Sequence, residues 1–265
     1  MTAKTKKNEV AVEETASVPT TTEIANQFMD DAGIGFEDMT ADDIAIPFLV
    51  ILQSGSPQLK RGEGRIEGAE EGDIFNTVTG VFYKGNEGIY IVPCAYKKAF
   101  IEWTPREAGG GFVRQHNDAN ILNNTTKDDK GRDVLPNGNL IVTTAYHYAT
   151  LIDTLSGDST ECVISMTSTQ LKKSRKWNSV MSGLKLTNLK GEKFTPPMFS
   201  HVYKFTTNPE SNELGAWSGW KIDIVSQIPT IELYNTAKGF ATNVNRGLIK
   251  EAVPSQNNVG EEEVF

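Results

Sequence analysis

Apolar and polar positions along the chain change period several times, and each change predicts an element. Residues 1–22 are rich in Thr, Glu and Lys with no apolar period, which predicts disorder. A weakly amphipathic stretch follows from Glu23 to Asp30. The run from Asp42 to Leu52 is apolar enough to be buried and starts the folded body. Gly55, Pro57 and the Gly- and charge-rich stretch 60–72 read as loop. Short strands are expected at 72–77 and 81–83, around a Val78-Thr79-Gly80 turn. Ile89 to Trp103 reads as one long strand kinked at Pro93, which cannot donate to a ladder. Residues 104–138 read as a long polar loop containing Gly109-Gly110-Gly111, and loops of such length are usually functional or disordered. Strands are predicted again at 140–152 and 161–166.

Between 165 and 185 the period becomes helical. Thr167 and Gln170 have the spacing of a capping box. Trp177, Val180, Met181 and Leu184 follow the i, i+3, i+4, i+7 spacing of one apolar helical face. A hairpin is expected from 198–206 and 216–225 across 208–212. The stretch 229–248 reads as a helix with Leu233, Ala237, Phe240, Ala241 and Val244 on one side. Strand, strand, strand, helix, strand, strand is the succession of a five-stranded OB-fold barrel with the helix between strands 3 and 4. The expected fold class is therefore mainly β with α, an OB-fold elaborated by extra N-terminal strands and a C-terminal helix. Residues 1–43 form an acidic, largely disordered segment, 44–250 the folded domain, and 251–265 a flexible acidic tail.

Charge changes this picture once it is resolved along the chain. The net charge is −8, but residues 1–43 hold ten acids against three lysines, and 251–265 hold four acids and no base, leaving +3 for 44–250. Within 165–204, eight bases face Glu192 alone. Lys172, Lys173, Arg175 and Lys176 crowd the start of the predicted helix, where the helix dipole favours acids. That suggests an external anion; the plainer alternative is a solvated face. The two cysteines, Cys94 and Cys162, are too few for a disulfide framework. No apolar run is long enough to span a membrane, so no membrane partner and a reducing cytoplasm are expected.

The chain offers no catalytic set. His116, His147 and His201 lie in different segments, and no nucleotide-binding loop, nucleophile elbow or HExxH is present. Neither a metal nor a cofactor is expected, and the protein reads as non-enzymatic. Aromatic residues interleaved with bases are the stronger signal. Lys97 and Lys98 lie beside Tyr96, Phe100 and Trp103, with Arg106 just beyond. Tyr203 and Lys204 occupy opposite faces of one strand, and Trp217 lies on the next. Unpaired nucleic acid needs this mixture, because cations neutralise phosphates while rings stack on bases. The candidate DNA contacts are thus Lys97, Lys98, Trp103, Arg106, Lys172, Lys173, Arg175, Lys176, Tyr203, Lys204 and Trp217, although many of these rings could equally fill a barrel core. At the C-terminus a polar linker leads to Glu261, Glu262, Glu263, Val264 and Phe265, a compact docking peptide of acids and a terminal aromatic.

The basic β-rich body, the linker and the Glu-Glu-Glu-Val-Phe tail resemble the single-stranded DNA-binding proteins of bacterial and phage replication. The runs Val92-Pro93-Cys94-Ala95-Tyr96-Lys97-Lys98 and Thr167 to Asn178 are similar to those of phage members. The resemblance implies an OB-fold core that coats single-stranded DNA in the host cytoplasm during replication or recombination, with little sequence preference. It also implies that Glu261, Glu262, Glu263 and Phe265 recruit a polymerase, helicase-primase or nuclease, and it leaves self-association open. A strand-annealing recombination protein, a metal-dependent nuclease and a virion or interaction protein are the alternatives.

Overall fold

Two very long strands, β4 (Ile89–Thr104) and β8 (Leu140–Ile152), pair antiparallel over almost their whole length, and the fold is arranged around this ribbon. The computed structural model describes residues 22–40, 43–153, 157–213 and 215–249. The expected disorder of 1–21 and the tail at 251–265 lie outside the described residues. The chain divides into two compact units, Met1–Thr40 and Ala41–Phe265. The first contains α1 (Thr22–Asp30), which leaves Phe28 and Met29 exposed, followed by turns that leave Ile34, Phe36 and Met39 exposed.

The second unit is mainly β with helices. It opens with β1 (Leu49–Ile51), β2 (Ile74–Asn76) and β3 (Phe82–Tyr83), which form a small antiparallel sheet. Beyond β4 come β5 (Gly111–His116), β6 (Thr126–Lys127) and β7 (Asp133–Val134). β9 (Ser159–Met166) follows β8, and then α2 (Gln170–Gly183). A small hairpin, β10 (Leu186–Thr187) with β11 (Lys193–Phe194), leads off α2. β12 (His201–Asn212), β13 (Gly215–Gln227) and α3 (Ile231–Asn245) complete the unit. Around one end of the ribbon the strand order is β13-β12-β4-β8-β9; around the other, β5 and β7 flank it, with β6 beyond β7. The result is a curled antiparallel half-barrel.

Both faces of this sheet are apolar, which explains why its strands show no clean in-out alternation. The concave face carries Ile91, Ala149, Ile164, Tyr203, Phe205 and Trp220, and α2 inserts Trp177 and Met181 against them. The convex face carries Val92, Tyr146, Tyr148 and Val163, covered by Phe48 of the N-terminal segment and by Phe240 of α3. Midway along β4 the register with β8 slips between Pro93 and Ala95. Proline has no N–H to donate, so a bulge there costs little and leaves both halves of the strand paired.

The open side of the half-barrel is filled by residues 47–53. The Pro47 carbonyl accepts from Val163 N at 2.9 Å, joining this segment to β9. At its other end the Gln53 amide donates to Ser218 O at 2.8 Å and accepts from Ser218 N at 2.9 Å, joining it to β13. The turn before β4 lies so close to its neighbours that a Cβ on Gly85 would collide with the Gly72 carbonyl, and one on Gly88 with the Phe205 carbonyl.

Several expectations are corrected. The capping box does not form: α2 starts at Gln170, and the Gln170 side chain accepts from Trp220 N at 3.1 Å. Its amide is used on a strand edge instead of a helix end. The 104–138 stretch is no plain loop, since β5, β6 and β7 lie within it. Residues 208–212 belong to strand β12, so the hairpin turns later than expected, beyond Asn212.

Candidate functional site

The sheet separates the sequence-predicted cations onto two sides. Lys97 and Lys204 lie on the convex side, each stacked on a tyrosine: Lys97 Nζ is 5.4 Å from the Tyr148 ring centre, and Lys204 Nζ is 5.5 Å from that of Tyr90. Lys98, Lys172, Lys173, Arg175 and Lys176 lie on the α2 side. On α2, Gln170, Ser174, Trp177 and Met181 are buried against the barrel, which turns Lys172, Arg175 and Lys176 outward into solvent. Lys173 is committed elsewhere. It pairs with Glu210, which also accepts from Trp217 Nε1 at 3.1 Å, and this cluster sits over Gly219, where a side chain would displace it.

Tyr96 links the helix to β4. Burial raises its hydroxyl pKa, while a hydrogen bond with Ser174 and the Arg175 charge pull the other way. Lys98, two residues on and exposed, shares the Tyr96 side by strand alternation. Further along the same side, Glu102 is buried and holds β5 in place. It meets Arg114 at 3.1 Å and His116 at 2.8 Å, and accepts from Asn139 Nδ2 at 2.7 Å. Burial raises the Glu102 carboxyl pKa, but the bonds from Asn139, His116 and Asn137 and the Arg114 charge outweigh it and hold it below the usual range. Arg114 keeps 65% of its side chain exposed. The α2 side therefore presents Lys172, Arg175, Lys176, Tyr96, Lys98 and Arg114 from helix, long strand and β5.

The predicted rings fare differently. Trp103 is 6% exposed and packs edge-on to Phe112 at 5.9 Å; Tyr203 is 1% exposed and packs on Trp177 at 5.5 Å. Neither offers a face to a base: Tyr203 fills the concave interior beneath α2, and Trp103 is packed into the apolar layer on the convex face. Trp217 is half-buried and tied to Glu210, and Arg106 is exposed beyond the end of β4. Arg114 was missed because the glycines before β5 disguise a six-residue strand as loop; the alternation Phe112, Arg114, His116 was its only signal. Glu261, Glu262, Glu263 and Phe265 lie outside the described residues.

A model of a phage protein family, the Pam3 phage gp34-like protein, matches residues 13–250. The chain belongs to that family. The match spans α1 and every strand of the half-barrel, so the whole architecture belongs to a phage protein. No curated protein and no solved structure matches the chain.

Among the described residues no group of three or more His, Cys, Asp or Glu could hold a metal ion. Asp128 accepts from Lys130 N, Arg132 N and Arg132 Nε, so it shapes its own turn. Burial pushes the Cys94 thiol up to about 12 and the Cys162 thiol up as well, which keeps both unreactive. No described helix is long and apolar enough to cross a membrane.

Proposed function

We propose that this phage protein binds single-stranded DNA without chemistry, coating it during replication or recombination in the host cytoplasm. The observation that carries this reading is the gathering of Lys172, Arg175, Lys176, Lys98 and Arg114 with Tyr96 on the α2 side of the sheet, where Glu102 is the buried acid. Unpaired DNA suits such a surface: its phosphates need scattered cations and its bases need only a flat partner or none.

The strand order supports the same reading. Numbered within the half-barrel, β4, β8, β9, β12 and β13 are strands 1 to 5; strand 1 pairs with strands 2 and 4, and α2 enters between strands 3 and 4. This succession is consistent with an OB-fold and supports reading the half-barrel as one, with residues 47–53 filling the gap between strands 3 and 5. OB-folds bind oligonucleotides on the strand 2–3 face and the adjoining loops. Here the convex side of those strands is covered by Phe48 and Phe240, so the proposed path runs over α2 and along the concave side toward β5. The acidic tail ending in Phe265 would recruit replication or recombination proteins.

The test is fluorescence anisotropy of a labelled oligo-dT strand at two salt concentrations. Five phosphate contacts predict a log K against log salt slope of about −3.5. The triple variant Lys172→Glu, Arg175→Glu, Lys176→Glu should weaken binding at least about tenfold. No binding at low salt, or an unaffected triple variant, refutes the proposal. Cleavage of the strand with Mg²⁺ or Mn²⁺ would favour the nuclease, and faster pairing of complementary strands the annealing protein.

A further inference from the structure

β13 is the terminal strand of the half-barrel, and the protein covers only part of its free edge. Ser218 N and O are bonded by Gln53, and Trp220 N by Gln170. Edge groups alternate along a strand, so Ile222 and Ile224 direct their N–H and C=O outward as Ser218 and Trp220 do. The β12 register agrees: Pro209, which has no N–H to offer across the pair, lies opposite Ser218, and Phe205 and Tyr203 lie opposite Ile222 and Ile224. Among the described residues nothing bonds the outward groups of Ile222 and Ile224. Ile224 and Val225 are 47% and 50% exposed beside them. Unprotected apolar edges of this kind are templates for another strand.

The charge pattern selects the strand. Lys221 and Asp223 flank Ile222 on one face, 3.3 Å apart and both more than half exposed. In an antiparallel pairing of this edge with itself, centred on Ile222, Lys221 of each copy faces Asp223 of the other; the two Ile222 residues exchange both backbone bonds, while Trp220, its N–H held by Gln170, lies opposite Ile224 with only its carbonyl left to accept. Centring one residue later would set Asp223 against Asp223. We propose that β13 pairs with β13 of a second copy about a two-fold axis at Ile222, joining two half-barrels through a ring of alternating Lys221 and Asp223 charges. Such an isologous interface closes on itself and gives a dimer rather than a fibre. The inference is independent of DNA binding.

Sedimentation velocity of the full chain, without DNA, at up to about 100 µM tests it, since the dimer population follows mass action. Asp223→Lys sets lysines against Lys221 at two places, and Lys221→Asp does the converse with carboxylates. Each should weaken the dimer about tenfold, because facing charges change from attraction to repulsion. The double variant Lys221→Asp, Asp223→Lys restores complementarity and should return dimerisation to near the wild-type level. Circular dichroism melts check that the exposed swaps leave the fold intact. A monomeric wild type, or dimers indifferent to the single swaps, overturns the proposal. So does a monomer that dimerises only after residues 251–265 are removed, which would make the tail the occupant of the edge.

Discussion

His147 shows how one side chain sets the response to acid. It lies inside the half-barrel, its ring 4.5 Å from Trp177 and its Nε2 2.8 Å from Ser174 Oγ. Loss of water around the ring drives its pKa down to about 3. Unfolded histidine titrates near 6.5, so between these values the unfolded chain takes up a proton that the folded one refuses. The stability is fully present above about pH 6.5 and lost as pH falls toward 3, by up to about 1.4 kcal/mol per pH unit. Urea midpoints from pH 7 to pH 4 should fall, and His147→Phe should fall less steeply. Equal slopes would place the acid sensitivity elsewhere, in Glu102 or in His201, whose pKa burial also lowers. At this scale the sequence was a partial guide. Trp177 was legible as core from helical spacing, whereas Tyr203 and Trp103 looked the same whether they faced solvent or interior. Strand alternation cannot distinguish two sides when both are covered.

At the scale of elements, the β5 arm depends on a single carboxylate. Arg114, His116 and Asn139 all converge on Glu102, so one side chain holds β5 and the start of β8 to β4. Glu102→Ala would strand these partners and should lower stability by about 2–3 kcal/mol. Amide exchange across Phe112–His116 should accelerate more than exchange in β9. Equal protection in both strands would mean that the backbone ladder alone suffices. The long strands and α3 were readable because their apolar runs exceed what a loop tolerates. β5, β6 and β7 were not, since glycines flank the first and two-residue strands carry no period at all. The capping-box spacing at Thr167 misled for a different reason: glutamine can serve a helix end or a strand edge, and only tertiary structure decides which.

For the whole molecule, every buried apolar residue among those described lies between Ile46 and Ile249. The segment 1–40, with eight acids and three lysines, contributes none of them. Deleting it should leave the urea midpoint unchanged while tightening oligo-dT binding at low salt, because it removes net negative charge. A large loss of stability would show that this segment supports the core. The separation of acidic ends from a basic body was fully legible in the sequence. Which cations share a side was not, because that depends on the wrap of the sheet.

The Gln53–Ser218 junction also has a consequence in time. Its two residues are separated by 165 positions, so the seam of the half-barrel can close only after β13 exists. At ribosomal rates of about 5–20 residues per second, the apolar run Ile46 to Leu52 waits roughly ten to thirty seconds for that partner. Closing so distant a contact is entropically late, which makes the seam the natural last step of folding and the first place for the barrel to open.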